Sequence, residues 1–202
     1  MAYDPLKHHP PKRWRTGRQS IRLQGYDYSS EGSYYITVCT HNRECQLGDV
    51  VNDEMRLSRI GEIVWECWLE IPKHFSDVTL DEYQIMPNHV HGIVVIWGNH
   101  RRDLINQIPT GIHPAGFRTQ TNWPLMKNPK QTLGKVIRHF KASASKIIHD
   151  RGFPEFGWQS RFHDHIIRSD EELDRIRQYI RNNPLNWSLD DENPVNRRSA
   201  AR

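Results

Sequence analysis

Residues 78–97 read VTLDEYQIMPNHVHGIVVIW, and the fold turns on this stretch. Val78 to Met86 alternates apolar with polar residues, the pattern of a half-buried strand. His89 to Trp97 is more continuously apolar, as expected of a strand covered on both faces. Pro87-Asn88 between them makes a tight connection, so the two strands pair. Upstream, Ser33 to Thr40 (SYYITVCT) is β-branched and aromatic, a further strand. From Leu57 to Ile71, the residues Ile60, Val64, Trp68 and Ile71 recur at helical spacing, with Ile63 and Cys67 beside them, and Pro72 ends the helix. Downstream, Lys130 to Asp150 carries the helical stripe Leu133, Val136, Ile137, Phe140, Ala144, Ile147 and Ile148. Phe162 to Arg168 is a short strand. Ser169 then caps a last helix with Glu172 at the capping-box position, and that helix runs to about Asn182, ahead of Pro184. The order is β-α-β-β-α-β plus a C-terminal helix. This is an α+β chain of ferredoxin-like order.

Such a fold hosts many functions, so composition must narrow them. The 202 residues are 36% hydrophobic and 26% charged, with 7 Trp, 7 Tyr and 6 Phe. That aromatic content belongs to a core-bearing protein, not a disordered one. Ile93 to Trp97 is the longest clean apolar run, against the roughly 20 residues a membrane span needs. Met1 to Pro5 lack the basic-then-apolar pattern of a signal peptide. Cys39, Cys45 and Cys67 form no C-x-x-C pair, which argues against a disulfide framework and for a reducing cytoplasm.

The formal charge of +4 conceals an asymmetry: residues 1–22 carry net +5, 23–100 net −8, 101–151 net +8 and 152–202 net −1. Positive charge gathered into two blocks suits a polyanion such as nucleic acid, or else forms a solvated face and tail. Three regions follow. Residues 1–22 form a basic arm, 23–189 the domain, and 190–202 a loose polar tail. In the arm, Lys12, Arg13 and Arg15 flank Trp14 and are candidate DNA contacts. On the 130–150 helix, Lys135, Arg138 and Lys141 fall outside the apolar stripe and offer a basic face. Residues 98–129, rich in Gly, Pro and Asn, form a long loop with no period.

His89-Val90-His91 puts two imidazoles on one face of a strand, roughly 7 Å apart and able to converge on a metal ion. Two satisfied core histidines would look the same in sequence, and His163-Asp164-His165 has the same spacing. On the last helix, Tyr179 and Asn183 lie four residues apart and share a side. The apolar stripe there runs through Leu173, Ile176 and Ile180, leaving Tyr179 at its margin. By itself, Tyr179 also reads as core and Asn183 as a helix stop.

Ile85-Met86-Pro87-Asn88-His89-Val90-His91-Gly92-Ile93-Val94 resembles the His-hydrophobe-His motif of the HUH single-tyrosine transposases, in particular the REP-associated tyrosine transposases and their insertion-sequence relatives. Tyr179 to Trp187 (YIRNNPLNW) resembles their nucleophile helix. Arg22 to Tyr28 and Trp158 to Arg168 also match family patterns, so the resemblance spans about residues 18–187. It implies a metal-dependent single-stranded DNA endonuclease and strand transferase, active in DNA transposition and recombination. His89, His91 and Asn183 would hold Mg²⁺ or Mn²⁺. Tyr179 would attack the scissile phosphate, leaving a 5′-phosphotyrosine and a free 3′-hydroxyl. The partner implied is hairpin-forming single-stranded DNA, and relatives occur as a homodimer with the tyrosine helix in trans or as a monomer. Mg²⁺ prefers oxygen ligands, which sits awkwardly with two imidazoles.

Two other readings compete. A non-catalytic nucleic-acid-binding protein could use Tyr34 and Tyr35 as a stacking surface on the sheet. A zinc hydrolase could use His89, His91 and His163 or His165, but no Glu base is evident.

Overall fold

A computed structural model describes residues 23, 25–97, 132–190 and 192–199. Lys12, Arg13, Arg15 and the loop 98–129 lie outside the described residues. The main sheet has four antiparallel strands, β1 (Gly32–Cys39), β4 (Val78–Met86), β5 (His89–Ile96) and β6 (His163–Ile167), in the order β4-β5-β1-β6. With the second strand at one edge and the last at the other, this is the ferredoxin-like arrangement the sequence order implies. Among the described residues no helix is long and apolar enough to cross a membrane.

Helices α1 (Arg59–Leu69) and α3 (Leu133–Asp150) cover one face of the sheet, and α4 (Asp170–Arg181) lies on the other. Each of the three starts on a hydroxyl cap. Ser58, Thr132 and Ser169 accept from the backbone N–H of Gly61, Lys135 and Glu172, satisfying donors that a helix start leaves free. Glu172 does not close a capping box on Ser169. Its carboxylate instead takes the Arg168 N–H and His165 Nε2, both at 2.8 Å, tying the helix start to the end of β6.

Period-2 geometry divides each central strand between two cores. Ile36 and Val38 of β1 and Val90, Val94 and Ile96 of β5 pack with Trp68 of α1 and Val136, Ile137 and Phe140 of α3. Tyr35 and Ile93 face the other way and pack with Ile176 and Ile180 of α4. Gly92 points at Trp68: a Cβ there would lie 2.4 Å from the indole Cζ2, so only glycine lets that ring reach the sheet.

Three parts of the chain depart from the sequence expectation. Residues 48–57 form a hairpin, β2 (Gly48–Val51) and β3 (Glu54–Leu57), turning on Asn52 and Asp53, both at positive φ. That pair of left-handed residues matches the strand twist. The segment after Asp190, expected to be loose, folds back: Pro194–Ser199 is a short helix α5, Arg43 ion-pairs with Glu192, and buried Asn193 donates to the Trp187 carbonyl. The helix expected to end at Pro72 ends at Leu69, and Pro72 instead sits in the first turn of the four-residue α2 (Ile71–His74).

Candidate metal and tyrosine site

β5 delivers His89 and His91 to the α4 face, with ring centroids 4.3 Å apart and both side chains buried. The hydrogen-bond network fixes which nitrogen of His89 points inward. Asn88 donates both of its amide hydrogens, to the carbonyls of Arg43 (3.0 Å) and Glu192 (2.8 Å). Its Oδ1 therefore faces His89 Nδ1 at 2.8 Å and must accept, which puts the proton on Nδ1 and leaves a lone pair on Nε2. This outer partner is what a metal-binding histidine ordinarily has. His91 Nδ1 meets the Tyr35 hydroxyl at 2.8 Å and Thr37 Oγ1 at 3.0 Å. Burial holds His89 well below the usual imidazole range, with His91 and Arg43 adding to it. Burial, then His163, brings His91 to about 3. Both rings are neutral at physiological pH, the state a metal ligand requires.

The helix α4 is clamped from two sides. Ile176 and Ile180 bury its underside. Arg177 forks onto both oxygens of Asp81 (2.8 and 2.6 Å), and Arg181 bonds Glu82 at 2.5 Å. Asp81 and Glu82 are available because the β4–β5 register shifts between Leu80 and Tyr83, a bulge that puts two residues against one. So held, Tyr179 sits at the margin of the apolar stripe, its ring 5.4 Å from His91 and 6.3 Å from Tyr35. Burial pushes its phenol up to about 12, with the Asp190 carboxylate adding to this, while hydrogen bonds from Asn183 and Tyr35 pull it down.

Three polar atoms around this point, His89 Nε2, His91 Nε2 and Asn183 Oδ1, are buried without a hydrogen-bond partner. Each such atom costs about 1–3 kcal/mol unless something satisfies it. Ligand atoms of His89, His91 and Asp190 also lie within 4.8 Å of one another. Two imidazoles, an amide oxygen and a carboxylate suit a divalent cation, and the carboxylate adds a charged oxygen to the neutral amide oxygen of Asn183. These residues fit the metal that the sequence resemblance implied.

Asp190 is not among the ligands the sequence offers, because it opens a polar segment expected to be loose. It is held by the Glu192 N–H, which donates to Asp190 Oδ1 at 2.6 Å. The acidic run Asp190-Asp191-Glu192 just past Trp187 was the available signal, and Trp187 packs its ring 6.1 Å from His89. The rival pair separates: His165 is engaged with Glu172, and His163 is exposed. Neither joins the His89–His91–Asp190 group, which removes the zinc-hydrolase set. Tyr34 and Tyr35 are buried, so they offer no stacking surface to the nucleic-acid-binding reading. Lys135 and Arg138 are exposed on α3, across the sheet from the histidines, while Lys141 is half-buried and donates to the Gln159 carbonyl.

No family model matches the chain. It is 38% identical over 174 residues to an uncharacterized protein of Haemophilus influenzae, covering 86% of this chain and 91% of that one. A solved structure of a REP-associated tyrosine transposase bound to a REP hairpin matches at a TM-score of 0.51 and 18% identity, over 83% of this chain and 73% of the other. The chain therefore belongs to one family with the Haemophilus influenzae protein, and it shares the fold of the REP-associated tyrosine transposase.

Proposed function

We propose that this chain is a metal-dependent single-strand DNA endonuclease and strand transferase of the transposase type, with Tyr179 as nucleophile. One observation carries the reading: three buried ligand atoms without partners and the Asp190 carboxylate surround a marginal tyrosine on a clamped helix. The proposed ligands and the nucleophile all belong to one chain.

His89, His91, Asn183 and Asp190 would hold Mg²⁺ or Mn²⁺, which when bound would polarise a phosphate oxygen and favour the phenolate of Tyr179. The residues of the chain do the rest. Asn183 and Tyr35 would donate to the Tyr179 oxygen, which offsets its burial. The Tyr179 oxygen bonds to phosphorus as the bond from phosphorus to the 3′ oxygen breaks, and that oxygen leaves as a 3′-hydroxyl after taking a proton. Attack by another 3′-hydroxyl reverses the step and rejoins strands with no external energy source. Hairpin-forming DNA is the substrate that the structural neighbour suggests. The arm residues Lys12, Arg13 and Arg15, with Lys135 and Arg138, would take phosphates away from the scissile one.

The test is direct. Single-stranded hairpin DNA labelled at its 3′ end is incubated with the protein and Mn²⁺, then denatured. A covalent adduct that maps to Tyr179 and vanishes with chelator is expected. No adduct with either metal, or one on another tyrosine, would overturn the assignment.

A further inference from the structure

The buried hydroxyl of Tyr35 stands between the two halves of the site. Its ring stacks on His91 at 5.5 Å and meets Tyr179 edge-on at 6.3 Å. The oxygen lies 2.8 Å from His91 Nδ1 and accepts from Thr37 Oγ1 at 3.4 Å. A phenol has two lone pairs and one hydrogen. A metal on His91 Nε2 requires the proton on Nδ1, so the Tyr35 oxygen accepts there at 2.8 Å and its own hydrogen is left for Tyr179, whose ring lies edge-on to it. That arrangement satisfies every atom of the hydroxyl and aims the lone pair of His91 Nε2 into the site.

We propose that Tyr35 is a positioning residue that couples the metal ligand His91 to the nucleophile Tyr179: its oxygen accepts from His91 Nδ1–H while its O–H donates to Tyr179. The proposal rests on the function proposed above and adds to it a residue in neither sequence motif. Tyr35 keeps His91 in the ligating tautomer, and the same hydroxyl lends the attacking oxygen a donor. Metal affinity and nucleophile activation are thereby tied to one group.

Tyr35→Phe removes the hydroxyl and keeps the ring. Manganese affinity is read by electron paramagnetic resonance, and adduct formation is followed at saturating Mn²⁺. Affinity should fall about 10-fold or more, as for other partners of metal-bound histidines. The rate at saturating metal should fall as well. A variant that melts lower but matches the wild type in either quantity overturns the coupling and leaves Tyr35 a packing residue. A second measurement needs no variant. Long-range proton–nitrogen spectra of the metal-free wild type should show His91 protonated on Nδ1, and a proton on Nε2 overturns the proposal. A wild type that forms no adduct overturns the proposed reaction itself, so the two failures are told apart by which protein fails.

Discussion

The two faces of the central sheet are built from the same strands and to opposite rules. On the α1 and α3 side, Val90, Val94 and Ile96 meet Trp68, Ile137 and Phe140, and the contacts are almost wholly apolar. On the α4 side, alternate residues of the same strand, His89 and His91, are just as buried and carry unsatisfied nitrogens. One face supplies stability through area removed from water. The other gives some of that stability up to keep ligand atoms aimed at one point. If the division is real, substitutions on the two faces should separate folding from chemistry.

The largest separation is expected at Tyr179. Tyr179→Phe should lower adduct formation on the order of 10⁴-fold or more, as nucleophile removal does elsewhere, with thermal stability nearly unchanged. Phe140→Ala is its mirror on the apolar face. Phe140 is fully buried against Trp68 and Trp158, so truncation should cost about 3–5 kcal/mol. Calorimetry reads that loss, and manganese affinity of the folded fraction should not move. A large stability loss at Tyr179, or a changed affinity at Phe140, would break the division.

Metal should reverse the cost on the α4 face. At a free concentration about 100 times its dissociation constant, Mn²⁺ should stabilise the wild type by roughly 2.7 kcal/mol, because only the folded chain assembles the ligands. His89→Ala should abolish that gain. Asp190→Asn should reduce it, since an amide carries no charge to meet the ion. An undiminished gain in Asp190→Asn would remove Asp190 from the ligand set.

How much of this was legible depended on the kind of signal. The strands at 78–86 and 89–97 announce themselves by periodicity, as do the stripes of α1, α3 and α4, because burial against a regular element leaves a regular trace. The hairpin β2–β3 left little trace: its strands have four residues each and are half-exposed, and the Asn52-Asp53 turn was the one clue. In the site, the H-x-H pair and the tyrosine helix follow from spacing. Asp190 does not, because its role depends on where a polar segment returns after a helix. Tyr35 is harder still. In sequence it is a good strand former, and its role emerges only once it is known which face of β1 it takes and that Tyr179 lies above it.

Gly92 offers a smaller test on the strand that serves both faces. Gly92→Ala drives a methyl into the fully buried Trp68 ring, and overpacking of this kind costs about 1–3 kcal/mol. Because residue 92 points away from His91, manganese affinity of the folded fraction should fall less than about threefold. A larger fall would show that Trp68 holds the register of β5, and with it the histidines.

The smallest expected effect asks whether the apolar side of the molecule is silent in function. Lys135 and Arg138 are exposed on α3, behind the sheet as seen from the histidines. Both are exposed, so replacing both with Ala should leave stability within about 0.5 kcal/mol, as for other surface substitutions. If they take phosphates of a hairpin that wraps past the domain, the log–log salt dependence of DNA affinity should flatten. The change should be roughly 0.7 per contact on single strands and 0.9 on duplex. Lys141 serves as the internal control, since its ammonium already donates to the Gln159 carbonyl and Lys141→Ala should change the slope less. Cleavage at saturating DNA should be unaffected in every case, because none of these side chains reaches Tyr179. A flattened slope would show that DNA contacts extend around the α3 side, with chemistry confined to the α4 face. An unchanged slope would confine both binding and chemistry to the α4 side and remove Lys135 and Arg138 from the proposed DNA path.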